Sequence, residues 1–289
     1  MQARTQKFSG FEGVSLVADV FGDDAAWPVL LMHGGGQTRH AWGNTASQLA
    51  RAGWRAVSLD LRGHGDSAWA PNGDYSFTSY GADCIAVCDQ LGKPPVLVGA
   101  SLGGVSAILA EGNSDRVVSS GLVAVDITHR TNPEGIQKIK DFMMSGLGGF
   151  ASLEEAAAAI AAYTPHRKRA VNPAGLEKVL RRKPDGRWYW HWDPAFMSRK
   201  GTEVPSPDFS GVFELALARI RVPTLLVRGK LSDVVTEEGV RDFLARIPGS
   251  KLVDVSDAAH MVAGDQNDAF SSAVIRFLEE DVRPRLPRG

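Results

Sequence analysis

Cysteine is almost missing from this chain: Cys84 and Cys88 are the only two in 289 residues. No further cysteine can complete a zinc cluster, and no His-Glu-x-x-His pattern occurs, so neither a metal nor a cofactor is implied. The spacing of the two cysteines puts them on one face of a helix, where they read as small buried apolar residues. No apolar run approaches the roughly 20 residues needed to span a bilayer. The stretch from Met1 to Lys7 has no apolar segment behind its charges, as a secretory signal would. An excess of charge is missing too: the formal net charge is -1, which leaves no global field for nucleic acid or an anionic membrane. The expectation is a cytoplasmic protein acting on a small molecule, with neither nucleic acid nor membrane as partner. A homodimer is left open.

Hydrophobic residues make up 44% and charged residues 22%, an ordinary globular balance. Short apolar runs recur at 29–32, 56–59, 96–98, 122–125 and 224–227, each bounded by Gly, Pro or Asp. Their hydrophobicity is continuous rather than alternating, which suggests strands buried on both faces of a parallel sheet. Helical patterns fall between them at roughly 40–52, 77–91 and 102–112, as in βαβ units. Lys251 to Val255 alternates like a last strand near the sheet edge, and a final amphipathic helix is expected at about 267–280. The segment 127–220 breaks this rhythm and reads as helical. Ser152-Leu153-Glu154-Glu155 is a capping box, Asn172-Pro173 a second helix start, and Lys183-Pro184-Asp185-Gly186 a turn. The segment carries 14 Lys and Arg against 10 Asp and Glu. It is expected to be a helical cap inserted into a core domain formed by 1–126 and 221–289, lying over the strand ends where such sheets bind ligands.

Gly99-Ala100-Ser101-Leu102-Gly103 lies between the strand 96–98 and the helix 102–112. A serine on such a sharp turn is pushed toward an unfavourable backbone conformation, and only glycine fits on either side of it. Its hydroxyl then stands at the C-terminal sheet edge. The Leu102 N–H, at the positive end of the new helix, faces a developing oxyanion. Gly34-Gly35-Gly36, after the strand 29–32, can offer a second donor, with Gly35 favoured and Gly36 next. A serine hydroxyl needs a base. Of seven histidines, His260 follows the last strand on a loop able to return to the same edge, whereas His166 sits in a basic run within 127–220. His64, in the loop 60–67, reads as a brace between loops. The acid that orients the base is expected to be Asp233, just past the strand 224–227, with Asp126 as competitor and Asp257 as a loop brace.

With these residues in place, the chain resembles the α/β-hydrolase superfamily over nearly its whole length. The resemblance rests on His33-Gly34-Gly35, the loop Asp60-Leu61-Arg62-Gly63-His64-Gly65-Asp66-Ser67, the turn at Ser101, and the order Ser101, Asp233, His260. It implies an α/β fold: an eight-stranded, mostly parallel sheet flanked by helices, with a helical cap inserted after Asp126. Serine at 101, where dehalogenases and epoxide hydrolases of this superfamily use aspartate, points to acyl transfer. The sequence looks most similar to small bacterial carboxylesterases, which implies hydrolysis of an ester or lactone through an acyl-enzyme. Enol-lactonase, carbon–carbon bond hydrolase and metal-free perhydrolase activities use the same triad, and a non-catalytic ligand receptor is the remote alternative. Trp188, Trp190 and Trp192 suggest a bulky apolar pocket, with Phe142 and Met143 as further lining and Trp42 at the floor near the glycine turn.

Overall fold

The computed structural model describes residues 3–164, 171–197, 207–256 and 268–287. The chain opens with an antiparallel ribbon, β1 (Arg4–Ser9) and β2 (Ser15–Phe21). β3 (Pro28–Met32), α1 (Gly43–Arg51), β4 (Arg55–Leu59), α2 (Phe77–Gln90), β5 (Val96–Ala100), α3 (Leu102–Gly112) and β6 (Gly121–Val125) then alternate. Between β6 and the return of the sheet lie α4 (Pro133–Ser145), α5 (Leu153–Tyr163), the hairpin β7 (Leu180–Arg182) and β8 (Trp188–Trp190), and α6 (Pro207–Arg219). The chain closes with β9 (Thr224–Gly229), α7 (Glu237–Arg246), β10 (Lys251–Val255) and α8 (Asp268–Phe277).

One eight-stranded sheet runs in the order β1-β2-β4-β3-β5-β6-β9-β10. β2 is antiparallel to both its neighbours, and the pairs from β4 to β10 are all parallel. Every residue of β3, β5 and β6 is buried, as continuous apolar runs require. Side chains alternate between two apolar layers. Leu30 and Met32 of β3 face α2 and α3 on one side; Val29 and Leu31 face α1 and α8 on the other. Parallel pairing puts the C-terminal ends of β3, β5, β6, β9 and β10 along one edge.

Two expectations for 127–220 need correction. The segment is not purely helical: β7 and β8 pair antiparallel around the turn at 183–186, because Trp188-Tyr189-Trp190 favours extended backbone. Its last helix packs on the core rather than over it. α6 crosses α3 so closely that a Cβ on Gly112 would lie 2.2 Å from the Ala216 carbonyl oxygen. The capping box at 152–155 starts α5, with Ser152 accepting from the Glu155 N–H and the Glu155 carboxylate accepting from the Ala151 N–H; Asn132, not singled out from the sequence, caps α4 through the Glu134 N–H. Asn172-Pro173 opens only a short 3₁₀ helix, Pro173–Lys178. Among the described residues no helix is long and apolar enough to cross a membrane.

Candidate active site

Ser101 occupies the junction of β5 and α3 with φ 47° and ψ -110°, a region that non-glycine residues rarely enter. The flanking glycines have separate steric reasons. A Cβ on Gly99 would lie 2.2 Å from the Gly103 carbonyl oxygen, and one on Gly103 would lie 2.3 Å from that of Met32. The strain is held by neighbours on both sides. The Ser101 N–H donates to the Val125 carbonyl at 3.0 Å, and the Gly103 N–H donates to the His33 carbonyl at 3.1 Å.

The second bond ties the start of α3 to the glycine turn after β3. In that turn the Gly34 N–H donates to Gln37 Oε1 at 3.0 Å and the Gly36 N–H to His64 Nε2 at 3.1 Å. Gly36 is therefore committed, which corrects its place as an oxyanion donor. Neither the Gly35 nor the Leu102 N–H donates to a described residue.

His33 and His64 act as braces. His33 Nε2 accepts from the Leu61 N–H at 3.1 Å while its Nδ1 lies 2.8 Å from the Gly34 carbonyl; His64 Nδ1 lies 2.9 Å from the Arg62 carbonyl. An accepting Nε2 beside a carbonyl-facing Nδ1 requires the neutral tautomer protonated on Nδ1 in both rings. Burial holds the His33 pKa below its ordinary value, opposed by nearby Asp60. The loop bearing His64 is anchored in turn. Arg62 makes two bonds to the buried Asp83 carboxylate, at 2.6 and 2.7 Å. The Gly65 N–H donates to the His191 carbonyl and the Asp193 N–H to the Gly63 carbonyl, both at 2.8 Å, so the chain after β8 is stitched to the glycine turn's support.

The two candidate acids differ sharply. Asp126, directly after β6, is 1% exposed and also has positive φ, at 49°. Its carboxylate accepts from the Gly229 N–H at 3.0 Å and from Ser232 Oγ at 2.6 Å. The Asp233 side chain is 47% exposed and pairs with Lys138 of α4 at 3.2 Å. His260, Asp257 and His166 lie outside the described residues.

A cavity of about 640 Å³ opens at Ser101 and is lined also by residues of α4, α5 and the stretch 175–197. Gly35, Gly36, Leu102, Phe142, Met143, Trp190 and Trp192 line it. Trp42 does not: it is fully buried on the opposite side of the sheet, 5.8 Å from the Phe270 ring, because the short helix carrying it turns that face toward α8. Trp188 is also displaced, packing against Phe150, Ala156 and Leu180 in a small separate core. Tyr163 was not anticipated as lining. It ends α5 and stacks on Phe142 at 4.2 Å, and burial, with Asp233 nearby, pushes its hydroxyl pKa up to about 12. The capping box at Ser152 was the available signal, since it fixes where α5 begins and so what stands at its end. Among the described residues no group of three or more His, Cys, Asp or Glu side chains could hold a metal.

The sequence matches the alpha/beta hydrolase family over residues 29–273. The chain belongs to this family. An esterase of Mycobacterium tuberculosis is 30% identical over 262 residues, covering 87% of this chain and 82% of the relative. A pimeloyl-[acyl-carrier protein] methyl ester esterase of Neisseria meningitidis is 30% identical over 263 residues, covering 89% and 78%. Among solved structures, E-2-(acetamidomethylene)succinate hydrolase superposes with a TM-score of 0.81 at 20% identity, covering 96% of this chain and all of that one, a likeness of fold alone. This alpha/beta hydrolase is thus esterase-like in its relatives, and its sheet follows the family's mostly parallel plan.

Proposed function

We propose that this alpha/beta hydrolase is a serine carboxylesterase that cleaves a small-molecule ester or lactone with a bulky apolar group through an acyl-enzyme. The observation that carries the reading is the strained Ser101 in the wall of the cavity, which it shares with Gly35 and Leu102, whose N–H groups have no described acceptor. His260 takes the Ser101 Oγ proton as that oxygen attacks the carbonyl. The tetrahedral oxyanion is held by the two N–H groups, and the C–O bond to the leaving alcohol breaks as His260 returns the proton to it. Water then adds to the acyl carbon, giving one proton to His260, and the acid leaves as that proton goes back to Ser101 Oγ. Support for His260 comes from β10, which ends at Val255 on the same edge as β5.

The segment 127–220 serves as the cap, its roofing part formed by α4, α5 and the β7–β8 hairpin. The aromatic wall of Phe142, Tyr163 and Trp190 suits a bulky acyl or alkoxy group. A cytoplasmic setting agrees with Cys84 and Cys88, which are free, buried thiols. Turnover of p-nitrophenyl esters by the wild type and by Ser101→Ala tests the reading. The variant is expected to lose on the order of 10³-fold or more in kcat; near-wild-type turnover would refute it.

A further inference from the structure

We infer that Asp126, and not Asp233, is the positioning residue that orients the catalytic base; this rests on the esterase reading above. β5 and β6 pair with Ala100 opposite Val125, so Ser101 and Asp126 are the first residues past two adjoining strands. β6 is flanked on its other side by β9, and β9 by β10, whose terminal Val255 pairs with Gly229. The Gly229 N–H is the group that donates to Asp126 Oδ1. The Asp126 carboxylate therefore sits at the sheet edge between the strand that delivers Ser101 and the strand after which His260 follows in sequence.

Its chemistry suits the role. Asp126 is held at a positive φ of 49°, which is unfavourable for a non-glycine residue. The Asp126 N–H donates to the Val227 carbonyl at 2.7 Å, which fixes the residue from the backbone side. The Gly229 and Ser232 donors are neutral, so they aim the carboxylate without cancelling its charge. A buried carboxylate of this kind stabilises an imidazolium formed beside it and fixes the tautomer of the neutral ring.

Asp233 is employed otherwise. Its carboxylate is half in solvent beside Lys138, where attraction is weak and screened. Its backbone packs under α4, since a Cβ on Gly135 would lie 2.3 Å from the Asp233 carbonyl oxygen. The Asn132 N–H donates to the Val234 carbonyl at 2.8 Å, which clamps this loop to the start of the roof. Asp233 thus secures α4.

The test compares Asp126→Asn and Asp233→Asn in the full chain, with Ser101→Ala alongside. Asparagine keeps the shape, tolerates the positive φ and can still meet Gly229 and Ser232. Asp126→Asn is expected to lower kcat about 10³–10⁴-fold with KM little changed. In the activity that remains, the acid limb of the kcat/KM profile should move to lower pH by about one unit, because the imidazolium has lost its anion. Asp233→Asn should change kcat/KM by less than about threefold and leave the limb in place. A structural role alone for Asp126 would lower Tm without moving the limb. The reverse pattern, with Asp233→Asn losing activity and shifting the limb, overturns the inference, and Asp233→Asn decides the matter by itself should Asp126→Asn fail to fold. Activity surviving in Ser101→Ala would instead refute the esterase reading, whereas an inactive Ser101→Ala beside a fully active Asp126→Asn refutes only the choice of acid.

Discussion

Ser101 and Asp126 directly follow neighbouring strands and both have positive φ, 47° and 49°, and the Ser101 N–H donates to the carbonyl of Val125, the residue before Asp126. Two strained non-glycine residues side by side at a sheet edge persist only where the surroundings over-determine them. Here the surroundings are the glycine contacts beneath Ser101 and the Gly229 and Ser232 donors around Asp126.

The contact beneath Ser101 leads to a stability prediction. Gly103→Ala would place a methyl group 2.3 Å from the Met32 carbonyl oxygen, which is backbone and cannot yield cheaply. The turn must shift, so a loss of about 2–3 kcal/mol is expected in denaturant unfolding, together with most of the activity. Wild-type stability in this variant would contradict the packing described.

His33 predicts a pH dependence. Its pKa is lowered from 6.5 by burial, so the unfolded chain takes up a proton near pH 6.5 that the folded chain refuses until lower pH. The contribution of His33 is therefore fully present above pH 6.5 and is lost as pH falls from there through the folded pKa, with a slope of at most about 1.4 kcal/mol per pH unit. NMR titration of the His33 ring should show it titrating below its ordinary 6.5, with the proton of the neutral ring on Nδ1. A ring titrating at 6.5 or above would refute the brace.

The cavity wall predicts a change of specificity. Phe142→Ala removes the ring that stacks on Tyr163 at 4.2 Å and meets Trp190 at 5.7 Å. KM for esters with bulky apolar groups should rise about tenfold, with kcat and the kinetics of acetate esters changing much less. An equal effect on both substrates would mean that Phe142 supports the fold and does not select the substrate.

Much of this was legible in the residues themselves. The strand, turn and helix around Ser101 follow from an apolar run, two glycines and a small-residue helix, although only the Gly99 contact with Gly103 is local and the Gly103 contact with Met32 joins α3 to β3. The edge ribbon β1–β2 was not read, since a solvent-facing strand such as Arg4–Ser9 has a single buried position, Phe8, and no apolar run. Trp42 was misplaced because its position after β3 fixes its height along the sheet but not the layer it faces. Asp126 and Asp233 both follow buried strands, and spacing alone cannot tell which carboxylate turns inward. That depends on Ser232 and Lys138, one supplying a hydroxyl to Asp126 and the other drawing Asp233 to the surface.

The esterase reading makes Ser101 the residue that becomes acylated. Its most direct test is reaction of the wild-type protein with a fluorophosphonate, followed by intact mass measurement and mapping of the modified peptide. A single adduct on Ser101, absent from Ser101→Ala, is the predicted result. An adduct on another residue, or a wild-type chain that stays unlabelled while it turns over esters, would contradict it.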